Sequence, residues 1–194
     1  MSIWTSKASA AALSVAALAG CDAGLPFGGG APAVTRAEMA FGAVALQAPR
    51  GYCIDQATLR EDFALLARCD TLGAPAAAAG APLGVMTVSF APAPEDGAIP
   101  DAQTTAAALS LEGVTKTRDM ANAVMFQASG AAPIENMSDV QWRGTALIGT
   151  QLMGLALYGP ENGRAVGLEG RELMTETISN TNQRSRVAPF PFSF

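Results

Sequence analysis

Histidine is absent from the whole chain. That omission excludes Ser-His-Asp and Cys-His nucleophilic catalysis and every histidine-ligated metal site. Lysine is nearly absent too: beyond residue 20 only Lys116 remains, so a serine–lysine dyad would have to use it. Charged side chains make up 15% of the residues, against about 25% in ordinary soluble domains. Lysine and arginine number 12 against 17 acidic residues, for a net charge of −5. That balance repels phosphate backbones and anionic lipid and argues against a nucleic-acid partner. Nucleophile elbows, phosphate-binding loops, dinucleotide fingerprints and calcium loops are all missing, so no cofactor is expected. Long hydrophobic runs are missing as well. The apolar stretch at residues 8–20, ASAAALSVAALAG, is too short to cross a bilayer, which takes about 20 residues.

What is present begins with that stretch. Lys7 and the free amino terminus precede it, as in a secretory signal segment. It ends in Leu18-Ala19-Gly20-Cys21, which resembles the lipobox of bacterial lipoprotein precursors. The resemblance implies cleavage before Cys21, a diacylglyceryl thioether on its sulfur, and acylation of the freed amine. One fatty chain holds a protein on a membrane marginally and two hold it stably. The alternative is an ordinary secretory signal ending in an Ala-x-Ala-like site, supplied by Ala16-Ala17-Leu18-Ala19, with Cys21 merely nearby. The lipobox reading places the protein on a bacterial membrane facing the periplasm. Asp22 fits the enterobacterial pattern for inner-membrane retention, but inner versus outer membrane stays open.

The expected layout is a signal peptide at 1–20, the lipidated Cys21 with a flexible linker over 21–36, one α+β domain at 37–187, and a Pro/Phe tail at 188–194. The linker is rich in glycine, proline and alanine, and its fourteen residues after Cys21 would span roughly 20 Å. With Cys21 carrying lipid, Cys53 and Cys69 remain as an even pair in an oxidising compartment. They flank two short strand candidates that, as antiparallel neighbours, would bring them into disulfide range. A redox or metal role is disfavoured by their spacing, which is not Cys-x-x-Cys.

Hydrophobic periodicity gives the elements. Residues 38–48 read as a strand, followed by a Pro-Arg-Gly turn into a short strand at Tyr52. Residues 63–69 and 83–90 are further strands, separated by a low-complexity surface loop at 73–82. A helix is expected over 101–113, with Asp101 as N-cap and Gly113 just past its end. Residues 114–130 read as a strand pair or one bent strand. Residues 139–160 are apolar on both parities, the mark of a central, two-sided strand or pair. Gly149 there marks a bulge or turn and Gly154 a close approach. Pro160 to Gly163 form a turn. A last helix over 168–183 carries Leu173, Met174, Thr177, Ile178 and Thr181 on one face.

This order predicts an α+β fold, an antiparallel sheet with two main helices packed on it. The Pro-x-Gly-aromatic start at Pro49 to Tyr52, the strand and helix in the middle, the late β pair carrying Leu157-Tyr158 and the terminal helix resemble the PsbP/DcrB-like fold over residues 38–183. Members of that superfamily include extrinsic subunits of membrane complexes and small lipoproteins, often without known catalysis. The resemblance implies an accessory role and carries over no site residues.

Candidate chemistry is sparse. Asp55, Glu61, Asp62 and Asp70 surround the expected disulfide and suit either a cation or a solvated rim. Glu169 and Glu172 form either a carboxylate pair or the acidic start of a helix. Trp142 beside Arg143 suits either a stacked ligand or the core. Three functions compete: a non-catalytic binding or accessory lipoprotein with an envelope protein partner, a carrier or sensor of a small apolar ligand, and a carboxylate-based hydrolase. The oligomeric state is not encoded legibly. The tail, with Phe190, Phe192 and Phe194 alternating around prolines, is expected to lie back on the domain over an apolar groove rather than to dock a partner. Deleting residues 188–194 should then lower the thermal midpoint; an unchanged midpoint would rule out self-docking.

Overall fold

The computed structural model describes residues 32–78 and 80–187. The signal segment, Cys21, most of the linker and the Pro/Phe tail lie outside the described residues. Two short strands, β1 (Arg36–Met39) and β2 (Val44–Gln47), form a hairpin. Seven more form one antiparallel sheet: β3 (Tyr52–Ile54), β4 (Phe63–Arg68), β5 (Val85–Pro92), β6 (Glu112–Met120), β7 (Ala123–Ser129), β8 (Val140–Ile148) and β9 (Gln151–Tyr158). Their order across the sheet is β3-β4-β5-β9-β8-β7-β6. Helix α1 (Ala102–Ala108) follows β5, and α2 (Leu168–Val187) follows β9. The α+β architecture expected from the sequence, an antiparallel sheet with two helices packed on it, is the one the chain adopts.

One face of the sheet is closed by α2 and the β1–β2 hairpin. Leu173, Met174 and Ile178 of α2 are buried against Met125, Trp142, Ala146 and Met153. Thr177 and Thr181, on the same face, are fully buried with them. Each apolar side chain so buried contributes roughly 1.5–3 kcal/mol. The helix starts hard against the sheet at Gly170, where a Cβ would fall onto the Ala165 carbonyl oxygen and crowd the Trp142 ring. The α2 hydroxyls also serve the hairpin. Ser185 Oγ accepts from the Ala45 amide at 3.0 Å and Thr181 Oγ1 from the Gln47 amide at 3.2 Å. The outer edge of β2 is thereby satisfied by a helix.

The sheet edges are guarded in different ways. Strand β6 is largely exposed and carries Lys116, Arg118 and Asp119. Its pairing with β7 shifts register twice, and Gly113 and Lys116 adopt positive φ. Charge and irregularity of this kind discourage strand addition. The opposite edge, β3, is three residues long, and a Cys53–Cys69 disulfide ties it to β4, with Cα atoms 4.8 Å apart. Cys53 pairs with Ala67, so Cys69 lies diagonally across the strands.

Three local expectations are corrected. The stretch 38–48 is a hairpin rather than one strand, because Ala40, Phe41 and Gly42 take positive φ and turn the chain. Helix α1 ends at Ala108, short of the expected limit, and Gly113 belongs to β6 instead of following the helix. Ser110, at φ 52°, takes the left-handed conformation that reverses the chain there. Helix α2 continues to Val187, past the expected residue 183. The Asp101 cap is present: its Oδ1 accepts from the Thr104 amide at 2.7 Å. That bond holds the carboxyl below the usual carboxylate range. No helix among the described residues is long and apolar enough to cross a membrane.

Closing a loop of this size by a disulfide stabilises by about 3 kcal/mol in the chain-entropy model. The Cys53→Ser/Cys69→Ser double variant should lose about that much in denaturant unfolding, with a somewhat steeper transition because the uncrosslinked denatured chain is more expanded.

Candidate functional site

The second face of the sheet is only partly covered. Helix α1 packs on β6 and β7, with Ala102 and Ala106 against Phe126 and Ala128. The helix begins where Asp101 caps it and ends after seven residues. Beyond it, the outward side chains of β5, β9 and β8 form an open floor.

Strand register determines what lies on that floor. Thr87, Ala156 and Arg143 stand side by side across β5, β9 and β8, with Phe126 of β7 next to Arg143. Ser89, Gly154 and Thr145 form the next row. The residues of β5, β9 and β8 in these two rows are small except for Arg143. At Gly154 an added Cβ would lie 2.9 Å from Ser89 Oγ, so glycine keeps the floor low. Thr104, Thr105, Ala108 and Leu109 form the α1 wall, with Pro100 beside it. The result is a mostly apolar groove of about 380 Å³. Leu109, at its lip, is 48% exposed.

Among the described residues, Arg143 is the one charged side chain lining the groove. It is half-buried, and its Nη2 donates to the Tyr158 hydroxyl at 2.9 Å. The guanidinium carbon stands 5.3 Å from the Tyr158 ring centroid. Its Nε is buried without a hydrogen-bond partner. The ion pairs among the described residues are Arg68–Asp70 and Arg164–Glu169, so none of their carboxylates pairs with Arg143. Burial pulls its pKa below the ordinary arginine value, and Tyr158 offsets part of that. Two residues earlier on the same strand face, Gln141 is fully buried. Its Nε2 donates to the Gly130 carbonyl at 3.1 Å, while its Oε1 has no partner. The two orphaned buried polar atoms among the described residues thus belong to neighbouring side chains of one strand face.

The residues singled out from the sequence are dispersed. Trp142 and Arg143 point to opposite faces of the sheet. Trp142 is fully buried under α2, with Nε1 donating to the Gly167 carbonyl at 2.9 Å, so it cannot stack on a ligand with Arg143. The acidic residues near the disulfide form no cluster of three or more potential metal ligands among the described residues. Asp70 pairs with Arg68 at 2.7 Å, Asp55 accepts from the Ala57 amide, and Glu61 accepts from the Phe41 amide. The Arg68 hydrogen bond lowers the Asp70 pKa. Glu169 and Glu172 are the pair that the structure does bring together: both line one shallow depression with Glu176 and Arg50, and Glu169 also reaches Arg164 at 3.4 Å. The groove itself was missed. Its traces in the sequence are the small residues alternating through Thr87, Ser89 and Ala91, and an arginine inside an apolar strand.

No protein-family model matches the chain, and no curated protein does. Solved structures give distant likenesses. The Ran-binding protein Mog1p of Saccharomyces cerevisiae is 10% identical, with a TM-score of 0.44 over 74% of this chain and 92% of its own. A point mutant of Mog1 is 11% identical with the same score and coverage. Cyanobacterial PsbP from Synechocystis is 12% identical, with a TM-score of 0.39 over 82% of this chain and 96% of its own. Similarity at this level assigns no function.

A half-buried cation without a counter-ion does not serve stability. Arg143→Met should therefore leave the thermal midpoint unchanged or raise it. A fall of several degrees would assign Arg143 a structural role.

Proposed function

We propose that this protein is a non-catalytic binding module, held at a bacterial envelope membrane by lipid on Cys21, and that it binds through the open half of its sheet. The observation that carries the reading is the groove beside α1. Its apolar floor is open among the described residues, and none of their carboxylates pairs with its one charge. A single domain ordinarily covers such a surface or uses it.

The groove's size favours a second reading for its occupant. Stable protein interfaces bury about 800 Å² on each partner. Ligand clefts run from roughly 300 to 1,000 Å³, and this groove lies at the small end of that range. A small ligand suits it better than a protein surface, which favours the carrier or sensor role over a docked envelope subunit. The Arg143 guanidinium in that lining fits a site that selects by polarity as well as shape.

The anchor and the binding face are tested separately. Membrane-extracted protein should have an intact mass beginning at Cys21 with acyl chains added, and Cys21→Ser should move the protein out of the membrane fraction. An unlipidated wild-type mass would overturn the anchor. A photocrosslinker placed at Ser89 should capture an occupant in intact envelopes, whereas one at Glu112, on the far edge strand, should not. Equal or absent capture at the two positions would overturn the groove as the binding face.

A further inference from the structure

We propose that the groove binds a small amphiphilic carboxylate, its apolar body laid over Ser89, Gly154 and Ala156 beside α1 and its charge at the Arg143 guanidinium. This rests on the reading that the groove is the binding face.

The charge argument comes first. Arg143 is held partly out of water, and no carboxylate of the described residues pairs with it. Taking an ion from water without a partner is disfavoured, and a bound anion removes that penalty. Tyr158 accepts one of the five N–H donors of the guanidinium, and the described residues supply no other acceptor. The planar fork of an arginine matches a carboxylate with two parallel hydrogen bonds.

The number of charges selects among anions. The groove's lining holds one cation and no acidic residue. One negative charge neutralises it. A phosphate dianion would leave a net negative charge among apolar walls, where the low local dielectric penalises it. A free inorganic anion would leave the apolar floor uncovered. An amphiphile satisfies both ends at once, because its body buries against the small side chains between β5 and β8 while its head stays at Arg143. The modest volume, about 380 Å³, limits that body to a short hydrocarbon or a single ring system.

The test uses the full chain carrying Cys21→Ser, so that no detergent competes, and follows backbone amide shifts at Ser89, Arg143 and Gly154. Octanoate is the probe. Octanol, octylamine and inorganic phosphate are its controls. Octanoate should shift those amides saturably and bind more tightly than any control. Arg143→Gln should weaken octanoate roughly tenfold or more while changing octanol less than about twofold, as expected for loss of a charged hydrogen bond. Ser89→Leu, which fills the floor at an exposed position, should weaken octanoate and octanol together. Thermal midpoints establish that both variants fold. Octanol binding as tightly as octanoate, with Arg143→Gln changing neither, would overturn the carboxylate and leave the groove standing. Phosphate or octylamine matching octanoate would overturn it as well. If neither octanoate nor octanol binds, the inference falls. If the Ser89 photocrosslinker also captures nothing, the groove reading falls with it.

Discussion

A sheet has two faces, and this chain brings unequal helices to cover them. Helix α2 has 20 residues, about 30 Å at 1.5 Å per residue. It packs on β8 and β9 of the sheet and on β2 of the hairpin. Helix α1 has seven residues, about 10 Å, or roughly two strand spacings. One face is therefore closed by α2 and the hairpin, while the other is closed only over β6 and β7. The position of the groove follows from that mismatch.

The two faces are built from different side chains for the same reason. Under α2 lie Trp142, Met125, Met153 and Leu157, all fully buried. On the open face the two rows Thr87-Ala156 and Ser89-Gly154-Thr145 carry threonine, serine, alanine and glycine, which can meet water without large apolar exposure. Arg143 is the exception. It interrupts the small residues, and among the described residues its hydrogen-bond partner is Tyr158. A residue that breaks the local rule without repaying stability belongs to function more readily than to folding.

Elements with strong periodicity were legible in the sequence. The face of α2 is an example: Leu173, Met174, Thr177, Ile178 and Thr181 recur at helical spacing, and all are buried. The β8–β9 pair was legible because both of its parities are apolar, and it lies in the middle of the sheet. The β1–β2 hairpin was not, because its turn holds Phe41, 90% exposed, where a polar residue signals a reversal more clearly. The end of α1 was misplaced because alanine, leucine and serine continue past it without a breaker. Ser110 reverses the chain where a glycine is the usual marker, and Leu111 then folds back onto the α1 cluster. The groove was illegible for a deeper reason. It depends on β5 lying beside β9, strands far apart in sequence, and on the register that sets Ser89 opposite Gly154. Local patterns contain neither fact.

The hairpin near the amino-terminal side of the domain has a mechanical consequence. The described chain enters through Val34 and Thr35, whose carbonyls accept from the Ile54 and Ala48 amides. Tension arriving along the preceding residues therefore meets the edge strand β3, through the Val34–Ile54 bond, and then the hairpin. The hairpin is clamped from behind by the Thr181 and Ser185 hydroxyls of α2. Load is thus shared between a strand pair and the far end of a long helix. The β5–β9–β8 floor lies beyond both, so pulling on the amino-terminal side would strain the clamp while the groove kept its shape.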